Sequence, residues 1–297
     1  MKRLVIGCGY LGRRVAKKWL EAGDDVSALT RSHERAGELR AEGIDPLVGD
    51  VMDSSSLACL NDDNRRPFDT LLYAVARDRG AAVTMHDLYL YGLRNVLSRL
   101  APMPRRLIYI SSTSVYGQDD GEWVDESSPC EPAQENGRTC LDGEKLLWDH
   151  LGAHPESQGV ILRLAGIYGP GRLVVRAAAI QAGEPIRGNP AAWLNLIHVD
   201  DAVRAVVAAD ERGTAGETYL VVDDEPLRRR DYYGALARFL SAPEPTFEPL
   251  PNSAVLAKTA TSGTNKRCSN RKLRDVLQVE LAYPTISTGL PDALRRG

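Results

Sequence analysis

The sequence contains no Cys-x-x-Cys pair, and no histidine lies near its five cysteines at the spacing of a zinc site. This pattern predicts free thiols in a reducing cytoplasm and no bound metal, rather than a disulfide scaffold or a zinc centre. Long hydrophobic runs are also missing. The apolar segment near the N-terminus breaks at Gly7, too early for a signal peptide, and no later segment is long enough to span a bilayer. We therefore expect a cytoplasmic protein that does not enter a membrane.

An excess of charge of one sign is absent as well, because 37 lysines and arginines balance 40 aspartates and glutamates. The basic residues are scattered along the chain, so neither nucleic acid nor an acidic membrane surface is a predicted partner. Repeats and low-complexity tracts are likewise missing. Hydrophobic residues make up 43% of the 297 positions. That is enough for an ordinary core in one large α/β unit or two coupled domains.

Strand and helix patterns alternate through the first half of the chain. Short apolar runs bounded by turn residues predict strands, and apolar residues at helical spacing predict the helices between them. This order predicts an α/β fold with a doubly wound parallel sheet of the Rossmann type, whose ligands bind at the carboxyl ends of the strands. The predicted strands are 4–6, 26–29, 46–48, 70–75, 106–111 and 160–164, and the predicted helices are 11–22, 36–42, 81–100 and 135–151.

The alternation loosens after Gly166, where proline and glycine become frequent. Residues 166–189 and 223–297 are therefore predicted to form a smaller C-terminal lobe that shapes a substrate site. Residues 1–165 are assigned to an NAD(P)-binding Rossmann domain. The segment 190–222 is predicted to return to that domain, with a late strand at 219–222 rejoining the sheet.

A glycine-rich motif, G-x-G-x-x-G, stands at Gly7, Gly9 and Gly12. It follows a predicted strand and opens a helix, which is the context that a dinucleotide-binding loop requires. The first glycine permits the tight turn, the second lets the backbone approach the pyrophosphate, and the third packs the helix against the strand. Free N–H groups at the helix N-terminus favour phosphate. The predicted cofactor site therefore includes Tyr10 and Leu11.

The end of the second strand distinguishes NAD from NADP, because a carboxylate there binds the ribose of NAD and repels the 2′-phosphate of NADP. No acid follows this strand, which runs into Arg31 and Ser32. Arg31 offers a bidentate contact to phosphate, with Ser32 assisting. NADP(H) is therefore the predicted cofactor, with NAD as the alternative. The competing interpretation of Arg31 is a solvated surface side chain.

Further motifs stand at the ends of the later strands. These are Gly49-Asp50-Val51, Tyr73-Ala74-Val75-Ala76, S-S-T-S-V-Y-G from Ser111, R-L-A-G-I-Y-G-P-G from Arg163, and N-L-I-H-V-D-D-A from Asn195. In this order the motifs resemble the extended short-chain dehydrogenases/reductases, the NAD(P)-dependent epimerase/dehydratase group. The resemblance covers nearly the whole chain. It implies an oxidoreductase acting on a carbonyl or hydroxyl substrate, with a nucleotide sugar as one option.

The resemblance also implies roles for single residues. Asp50 would accept from the adenine amino group, and Val51, Ala74, Val75 and Ala76 would complete the cofactor site. Ser112 matches the catalytic serine or threonine of the family, although a serine that caps its own turn is equally compatible. The residues assigned to the substrate pocket are Thr113, Tyr168, Trp193 and Asn195.

The acid–base pair of the family, Tyr-x-x-x-Lys, is missing between Ser112 and Arg163. Aligning the segment on Glu144 and the leucines that follow places Asn136 at the tyrosine position and Cys140 at the lysine position. Neither replaces its counterpart, because an amide does not titrate near pH 7 and a cysteine carries no positive charge. The chain therefore resembles the atypical subgroup that keeps the glycine loop and lacks the dyad.

Two functional interpretations remain open. The first is an enzyme that uses another proton source, and the candidates are Asp142, Cys140, Tyr168, His198 and the substrate itself. The second is a non-catalytic NADP(H)-binding sensor or scaffold. The motif around Ser112 and the C-terminal lobe favour the enzyme. His198 ends a predicted strand just before a helix, so a structural role is favoured for it over catalysis.

The apolar residues of segment 86–100 exceed what one buried face requires. Extended short-chain dehydrogenases often dimerise through two helices that form a four-helix bundle. Here those helices would be 86–100 and 135–151, so a homodimer is predicted. The alternative is that the excess packs against a neighbouring helix of the same chain.

Overall fold

The structure, a computed structural model, describes residues 1–61, 67–77, 80, 82–249 and 265–295. The strands are β1 (Lys2–Ile6), β2 (Asp25–Thr30), β3 (Asp45–Val48), β4 (Thr70–Tyr73), β5 (Arg106–Ser112), β6 (Trp123–Val124), β7 (Gln158–Leu164), β8 (Gly166–Tyr168), β9 (Ile186–Arg187), β10 (Trp193–Leu194), β11 (Leu196–His198), β12 (Thr218–Val221), β13 (Leu227–Arg228), β14 (Phe247–Glu248) and β15 (Arg267–Cys268). The helices are α1 (Gly12–Glu21), α2 (His33–Ala41), α3 (Gly92–Arg99), α4 (Glu135–Gly152), α5 (Val174–Gln181), α6 (Val199–Arg212), α7 (Arg229–Leu240), α8 (Arg271–Asp275) and α9 (Ile286–Arg295).

A seven-stranded sheet in the order β12-β7-β5-β4-β1-β2-β3 dominates the fold. The pairs β1–β2, β1–β4, β2–β3 and β4–β5 are all parallel. Leu4, Val5 and Ile6 of β1 are completely buried, because helices cover both faces of a doubly wound sheet and its strands are continuous apolar runs. The predicted Rossmann-type sheet is confirmed, and β12 is the late strand that rejoins it.

The helix predicted over 81–100 differs in form from the prediction. A π-helical turn, Asp87–Tyr91, leads directly into α3, and residue 81 lies outside the described residues. Gly92 starts α3 beside the end of β3, where an added Cβ would lie 3.0 Å from Val51 Cγ2. Asn95 Nδ2 also donates to the Val51 carbonyl at 2.8 Å. These contacts hold the helix close to the segment that follows β3.

Two compact units make up the chain. The first consists of Met1–Ser112, Thr139–Arg163 and Ala205–Tyr219, and the second of Thr113–Arg138, Leu164–Arg204 and Leu220–Gly297. In this division 113–138 and 190–204 belong to the second unit, whereas the sequence analysis assigned both segments to the first. The difference arises because periodicity identifies elements but not which core each of them packs against.

The second unit has its own core and short strands. Its four two-stranded pairs are β6–β15, β8–β11, β9–β14 and β10–β13, and its core cluster includes Tyr168, Leu196, Tyr232 and Leu290. The helix α6 begins directly after His198, as predicted. Within the described ranges, no helix combines the length and the apolar character needed to cross a membrane.

Candidate functional site

The glycine loop between β1 and α1 has the geometry of a dinucleotide-binding turn. Gly7 has a φ of +95°, and a Cβ on it would lie 2.4 Å from the Ala74 carbonyl oxygen, so only glycine fits. A Cβ on Gly12 would lie 2.4 Å from the Gly7 carbonyl oxygen, so this glycine brings the helix against the strand. Apart from Gly9 and its two chain neighbours, no described residue has an atom within 4 Å of the position that a Gly9 Cβ would take. The second glycine therefore faces open space, as close approach of a pyrophosphate requires.

The N-terminus of α1 has no anion of its own. Leu11 occupies the N-cap position without a side-chain hydrogen bond, and the first turn contains no acidic residue. The unpaired N–H groups of a first helical turn carry a partial positive charge that attracts phosphate. The preceding residue, Tyr10, is held by Arg14, which donates to its carbonyl at 2.8 Å and lies 4.1 Å from its ring centroid. This loop therefore fits the pyrophosphate of a dinucleotide.

Two arginines stand at the carboxyl end of β2. Arg31 is exposed, and Ser32 Oγ accepts from the Arg35 N–H at 3.1 Å, so Ser32 is the N-cap of α2. The Ser32 hydroxyl thus already has a structural role at the position where phosphate binding was predicted. Arg35 Nη2 donates to the Cys8 carbonyl of the glycine loop at 3.3 Å. Sequence analysis missed Arg35, although its spacing of four residues from Arg31 was a usable signal.

The residues after β3 and β4 complete this part of the first unit. Asp50 is half-buried, and its Oδ1 accepts from the Met52 N–H at 2.9 Å. Val51 is buried and held by Asn95, while Ala74 and Val75 are half-buried and Ala76 is exposed. The structure thus places the predicted cofactor residues of the first unit after neighbouring parallel strands, where the fold presents its ligand site.

The predicted catalytic serine, Ser112, is the half-buried last residue of β5. The residue before it anchors the strand, because Ser111 Oγ donates to Glu144 Oε1 at 2.5 Å. Arg163 forms a two-pronged pair with the same carboxylate, at 3.0 Å from Nε and 2.7 Å from Nη2. All three side chains of this Ser111–Glu144–Arg163 network are buried. The network fixes how α4 faces the sheet.

The two positions of the missing dyad lie in different environments on α4. Asn136 is exposed, whereas Cys140 is only 3% exposed. Burial, with the nearby Cys140 as a lesser cause, raises the pKa of Tyr89 to about 12. The Cys140 thiol therefore lies near the phenol of Tyr89, which belongs to the π-helical turn. Neither residue supplies the proton donor and cation that the family uses.

Most of the predicted replacement proton donors are inaccessible. Tyr168 is 1% exposed and His198 is fully buried. The Tyr168 hydroxyl packs against the C-terminal helix, where a Cβ on Gly289 would lie 2.0 Å away. Asp142 is half exposed and lies 3.6 Å from Lys145 Nζ in a surface ion pair. The structure therefore shows Tyr168 as a core residue rather than part of a substrate pocket.

His198 is fully buried in the second unit and contacts two half-buried residues, Asp200 and Asp292. Its Nδ1 accepts from the Asp200 N–H at 3.2 Å, and its Nε2 lies 3.3 Å from Asp292 Oδ2. Possible ligand atoms of these three residues lie within 4.8 Å of one another. Both ring nitrogens face protein groups, and Tyr283 packs on the ring at a centroid distance of 3.9 Å. The arrangement joins the start of α6 to the C-terminal helix, in agreement with the structural role predicted for His198.

Three further residues assigned to the substrate pocket lie in the second unit. Thr113 is half-buried at the start of a 3₁₀ turn. Both polar atoms of the Asn195 amide form hydrogen bonds. Its Oδ1 accepts from the Cys268 N–H at 2.8 Å, and its Nδ2 donates to the Lys266 carbonyl at 2.9 Å. Trp193 is half-buried, with Arg228 stacked 3.8 Å from its ring centroid. Asn195 thus holds backbone together, and Trp193 remains partly accessible.

Sequence analysis also missed a buried lysine beside the serine motif. Lys266 is 4% exposed, and its Nζ donates to the Tyr116 carbonyl at 2.9 Å. Burial lowers the pKa of this ammonium group, and burial raises the pKa of the neighbouring Cys268 thiol to about 12. The contact ties the S-S-T-S-V-Y-G motif to β15. No sequence pattern links positions 150 residues apart, so only the fold reveals it.

Comparisons with known proteins agree with this geometry. Protein YeeZ of Escherichia coli strain K12 is 27% identical over 96% of this chain and 97% of its own length. The 3-diazoavenalumate denitrifying reductase of a Streptomyces species is 27% identical over 98% of this chain and 99% of its own. UDP-glucose 4-epimerase of Thermotoga maritima has the same fold, with a TM-score of 0.83, 18% identity, and coverage of 100% of this chain and 98% of that one.

The glycine loop, the parallel sheet and these relatives all point to one family. The model of that family, which is described as the NAD dependent epimerase/dehydratase family, matches residues 3–221. The chain is an NAD(P)-binding protein of the oxidoreductase type within the extended short-chain dehydrogenases/reductases. It belongs to the NAD dependent epimerase/dehydratase family.

Proposed function

We propose that this protein is an NADP(H)-dependent oxidoreductase that reduces a carbonyl group of a small molecule. The observation that carries the cofactor preference is the cationic end of β2. Thr30, rather than a carboxylate, ends that strand, and Arg31 and Arg35 follow it. Arg35 contacts the glycine loop directly. One guanidinium on the phosphate-binding loop and a second on the residue that follows β2 favour the doubly charged 2′-phosphate of NADP.

The direction of the reaction is supported by one relative. The Streptomyces protein that covers nearly the whole chain is named a reductase. When bound, the nicotinamide supplies the hydride, and the protein has to orient the acceptor and deliver a proton. Ser112 at the end of β5 is suited to hydrogen-bond a carbonyl oxygen. Because Asn136 and Cys140 replace the dyad, we propose that the proton comes from solvent or from the substrate itself.

Calorimetric titration of NADPH and NADH tests the cofactor preference. A charge-assisted contact contributes ~1.5–3 kcal/mol, so NADPH should bind roughly 10- to 150-fold more tightly than NADH. Arg31→Ala and Arg35→Ala should each weaken NADPH and leave NADH unchanged. Arg40→Ala, in the exposed last turn of the same helix, is the matched control. Equal affinities of the wild type for both cofactors would overturn the proposal, and an equal loss for both in Arg35→Ala would assign Arg35 to the loop alone.

Turnover is tested by NADPH absorbance across a panel of ketones and aldehydes. General acid catalysis is worth about 10²–10⁴-fold, so we expect slow turnover that falls further in Ser112→Ala. If the proton comes from solvent, the rate should rise steadily as the pH falls instead of passing through a maximum. Tight NADPH binding without turnover of any carbonyl would contradict the enzyme and favour the sensor.

We also infer that the protein works in the cytoplasm as a homodimer. Support for the compartment comes from the cysteines, since all five are free thiols and such thiols suit a reducing compartment. Support for the dimer comes from the half-buried Leu88 and Leu90 and the 47% exposed Tyr91, which leave apolar surface on the segment predicted to form the interface.

A further inference from the structure

Two histidines stand one helical turn apart at the C-terminal end of α4. His150 lies in the last turn of the helix, and His154 follows four residues later, just beyond Gly152. Residues four apart on a helical turn project from the same face. The ring centroids of the two histidines are 4.7 Å apart, with a tilt of 32° between the ring planes. The two imidazoles are therefore direct neighbours.

Backbone hydrogen bonds hold this turn in place. The Ala153 N–H donates to the His150 carbonyl at 3.1 Å, and the His154 N–H donates to the Leu151 carbonyl at 2.9 Å. The His154 carbonyl accepts from the Ser157 N–H at 3.0 Å. Leu151 belongs to the core of the first unit and is 8% exposed. The imidazole pair is therefore carried by backbone that is already fixed, so little ordering is needed before a ligand binds.

A carboxylate orients the ring of His154, whose Nδ1 lies 3.2 Å from Glu156 Oε1. Hydrogen bonds from its own backbone N–H and from His154 hold the pKa of Glu156 below its ordinary value. Glu156 is therefore ionised at neutral pH and can only accept, so His154 Nδ1 is the donor and Nε2 carries the lone pair of the neutral ring. A histidine that binds a metal through one nitrogen donates from the other to a carboxylate in the same way.

The other histidine also presents a nitrogen without a hydrogen bond. His150 Nε2 is shielded from solvent and has no hydrogen-bond partner among the described residues. Burial, with the charge of His154 as a lesser cause, lowers the pKa of His150. The His150 imidazole is therefore neutral at pH 7, which is the form that coordinates a metal. Stacking of the rings alone would leave this nitrogen without a partner, which costs free energy that a coordinated cation would offset.

We propose that His150 and His154 bind a divalent transition-metal ion of the class that prefers imidazole, such as Zn²⁺ or Ni²⁺, with water as the remaining ligands. Two histidines at this spacing on one helical face are a recurring metal-binding arrangement, and imidazole suits these ions. Metal–nitrogen bonds of roughly 2.0–2.1 Å require the two nitrogens to lie within about 4.2 Å of each other. Rings with centroids 4.7 Å apart allow this separation. Glu156 is the positioning residue that orients His154.

This site differs from the sites considered above. The sequence predicted no metal because its cysteines lack zinc spacing, and a pair of histidines needs no cysteine. His198 is not a ligand of the same kind, because its Nδ1 accepts the Asp200 N–H. The proton of the neutral His198 ring therefore stands on Nε2, which faces Asp292.

Calorimetric titration of the whole chain with ZnCl₂ and NiCl₂ tests the proposal. The wild type should bind one ion that His150→Ala and His154→Ala do not bind. Glu156→Gln should weaken binding by about 10- to 100-fold, the cost of losing a carboxylate behind a metal-binding histidine. His86→Ala is the matched control, because His86 is another exposed histidine beside a carboxylate, 3.7 Å from Asp87, but has no second histidine one turn away.

NMR of the imidazole nitrogens locates the ion. The ¹⁵N resonances of His150 and His154 should shift when Zn²⁺ is added, while those of His86 and His198 stay in place. All variants should share the wild-type melting temperature in EDTA, and the metal should raise it in the wild type but not in His150→Ala or His154→Ala. Metal binding that persists unchanged in both alanine variants, shifts confined to other histidines, or no saturable binding at all would each overturn the proposal.

Discussion

The first unit of the chain is built on strands of four to seven residues, whereas the second is built on strands of two or three. In the first, five neighbouring strands pair in continuous parallel register, and most of their residues are buried. In the second, each strand pair is too short to be stable by itself. Side-chain hydrogen bonds there connect segments that backbone hydrogen bonds would connect in a longer sheet. Asn195, Asp201 and Lys266 each bind the backbone of a distant segment.

This comparison suggests that the two units respond differently to substitution. A long ladder spreads its stability over many backbone hydrogen bonds, so its weak points are buried charges rather than single polar side chains. A set of short strands depends on a few side-chain hydrogen bonds, so the loss of one amide or carboxylate should loosen a whole segment. The predictions below test this difference, and they run from the largest expected effect to the smallest.

Breaking the buried ion pair of the first unit should have the largest effect. Glu144→Ala removes the carboxylate that pairs with the buried Arg163, which costs ~3–5 kcal/mol of the free energy of unfolding. Urea denaturation measures the loss. Lys145→Ala is the control, because Lys145 is the next residue on the same helix and forms only an exposed ion pair, worth about 0–1 kcal/mol. Similar losses in both variants would contradict the assignment.

Removing one amide from the second unit should have a smaller but clear effect. Asn195→Ala leaves the Cys268 N–H and the Lys266 carbonyl without partners, at a cost of ~1–3 kcal/mol. Hydrogen exchange should show faster exchange of the Cys268 amide. Asn195→Asp keeps the acceptor for that N–H and loses only the donor, so the Cys268 amide should stay protected. Unchanged exchange in Asn195→Ala would show that the short strands do not need this side chain.

A buried carboxyl makes the second unit sensitive to pH. Burial raises the pKa of Asp223 from its ordinary value of 3.8 to about 8. Between these values the folded chain retains a proton that the unfolded chain has lost, so the stability contributed by the protonated group declines as the pH rises through this window. Asp223→Asn removes the dependence. Relative to wild type, the variant should gain up to ~1.4 kcal/mol per pH unit between pH 5 and pH 8.

Denaturant unfolding at several pH values checks this expectation. Asp210, another buried carboxyl with a raised pKa, is present in both proteins and cancels in the comparison. A constant difference between wild type and Asp223→Asn across the window would show that Asp223 titrates normally.

The smallest effect on the fold concerns assembly. If the segment around Tyr91 pairs with a second copy, Tyr91→Lys should convert a dimer to a monomer with little change in melting temperature. Light scattering at micromolar concentration checks the mass. A mass of 32.5 kDa for the wild type would rule out the homodimer.

The sequence predicted the first unit better than the second, and the comparison explains why. Apolar periodicity located every strand of the parallel sheet from β1 to β5, and the glycine spacing identified the cofactor turn. Arg35 escaped notice because its role depends on where α2 directs its side chain. Tyr168 was assigned to a pocket because of its motif, yet the packing of Gly289 places its ring in a core. Strands of two or three residues are too short to show an alternation of apolar and polar residues in the sequence. Their pairing in the second unit is therefore visible only in the structure.

The Ser111–Glu144–Arg163 network has a consequence for how such proteins diverge. These three side chains hold the orientation of α4 through contacts that include neither Asn136 nor Cys140. Chemistry at those two positions can therefore be lost, or restored by engineering, without dismantling the scaffold. Substitutions at positions 136 and 140 can therefore change the chemistry of this chain while the network still orients α4.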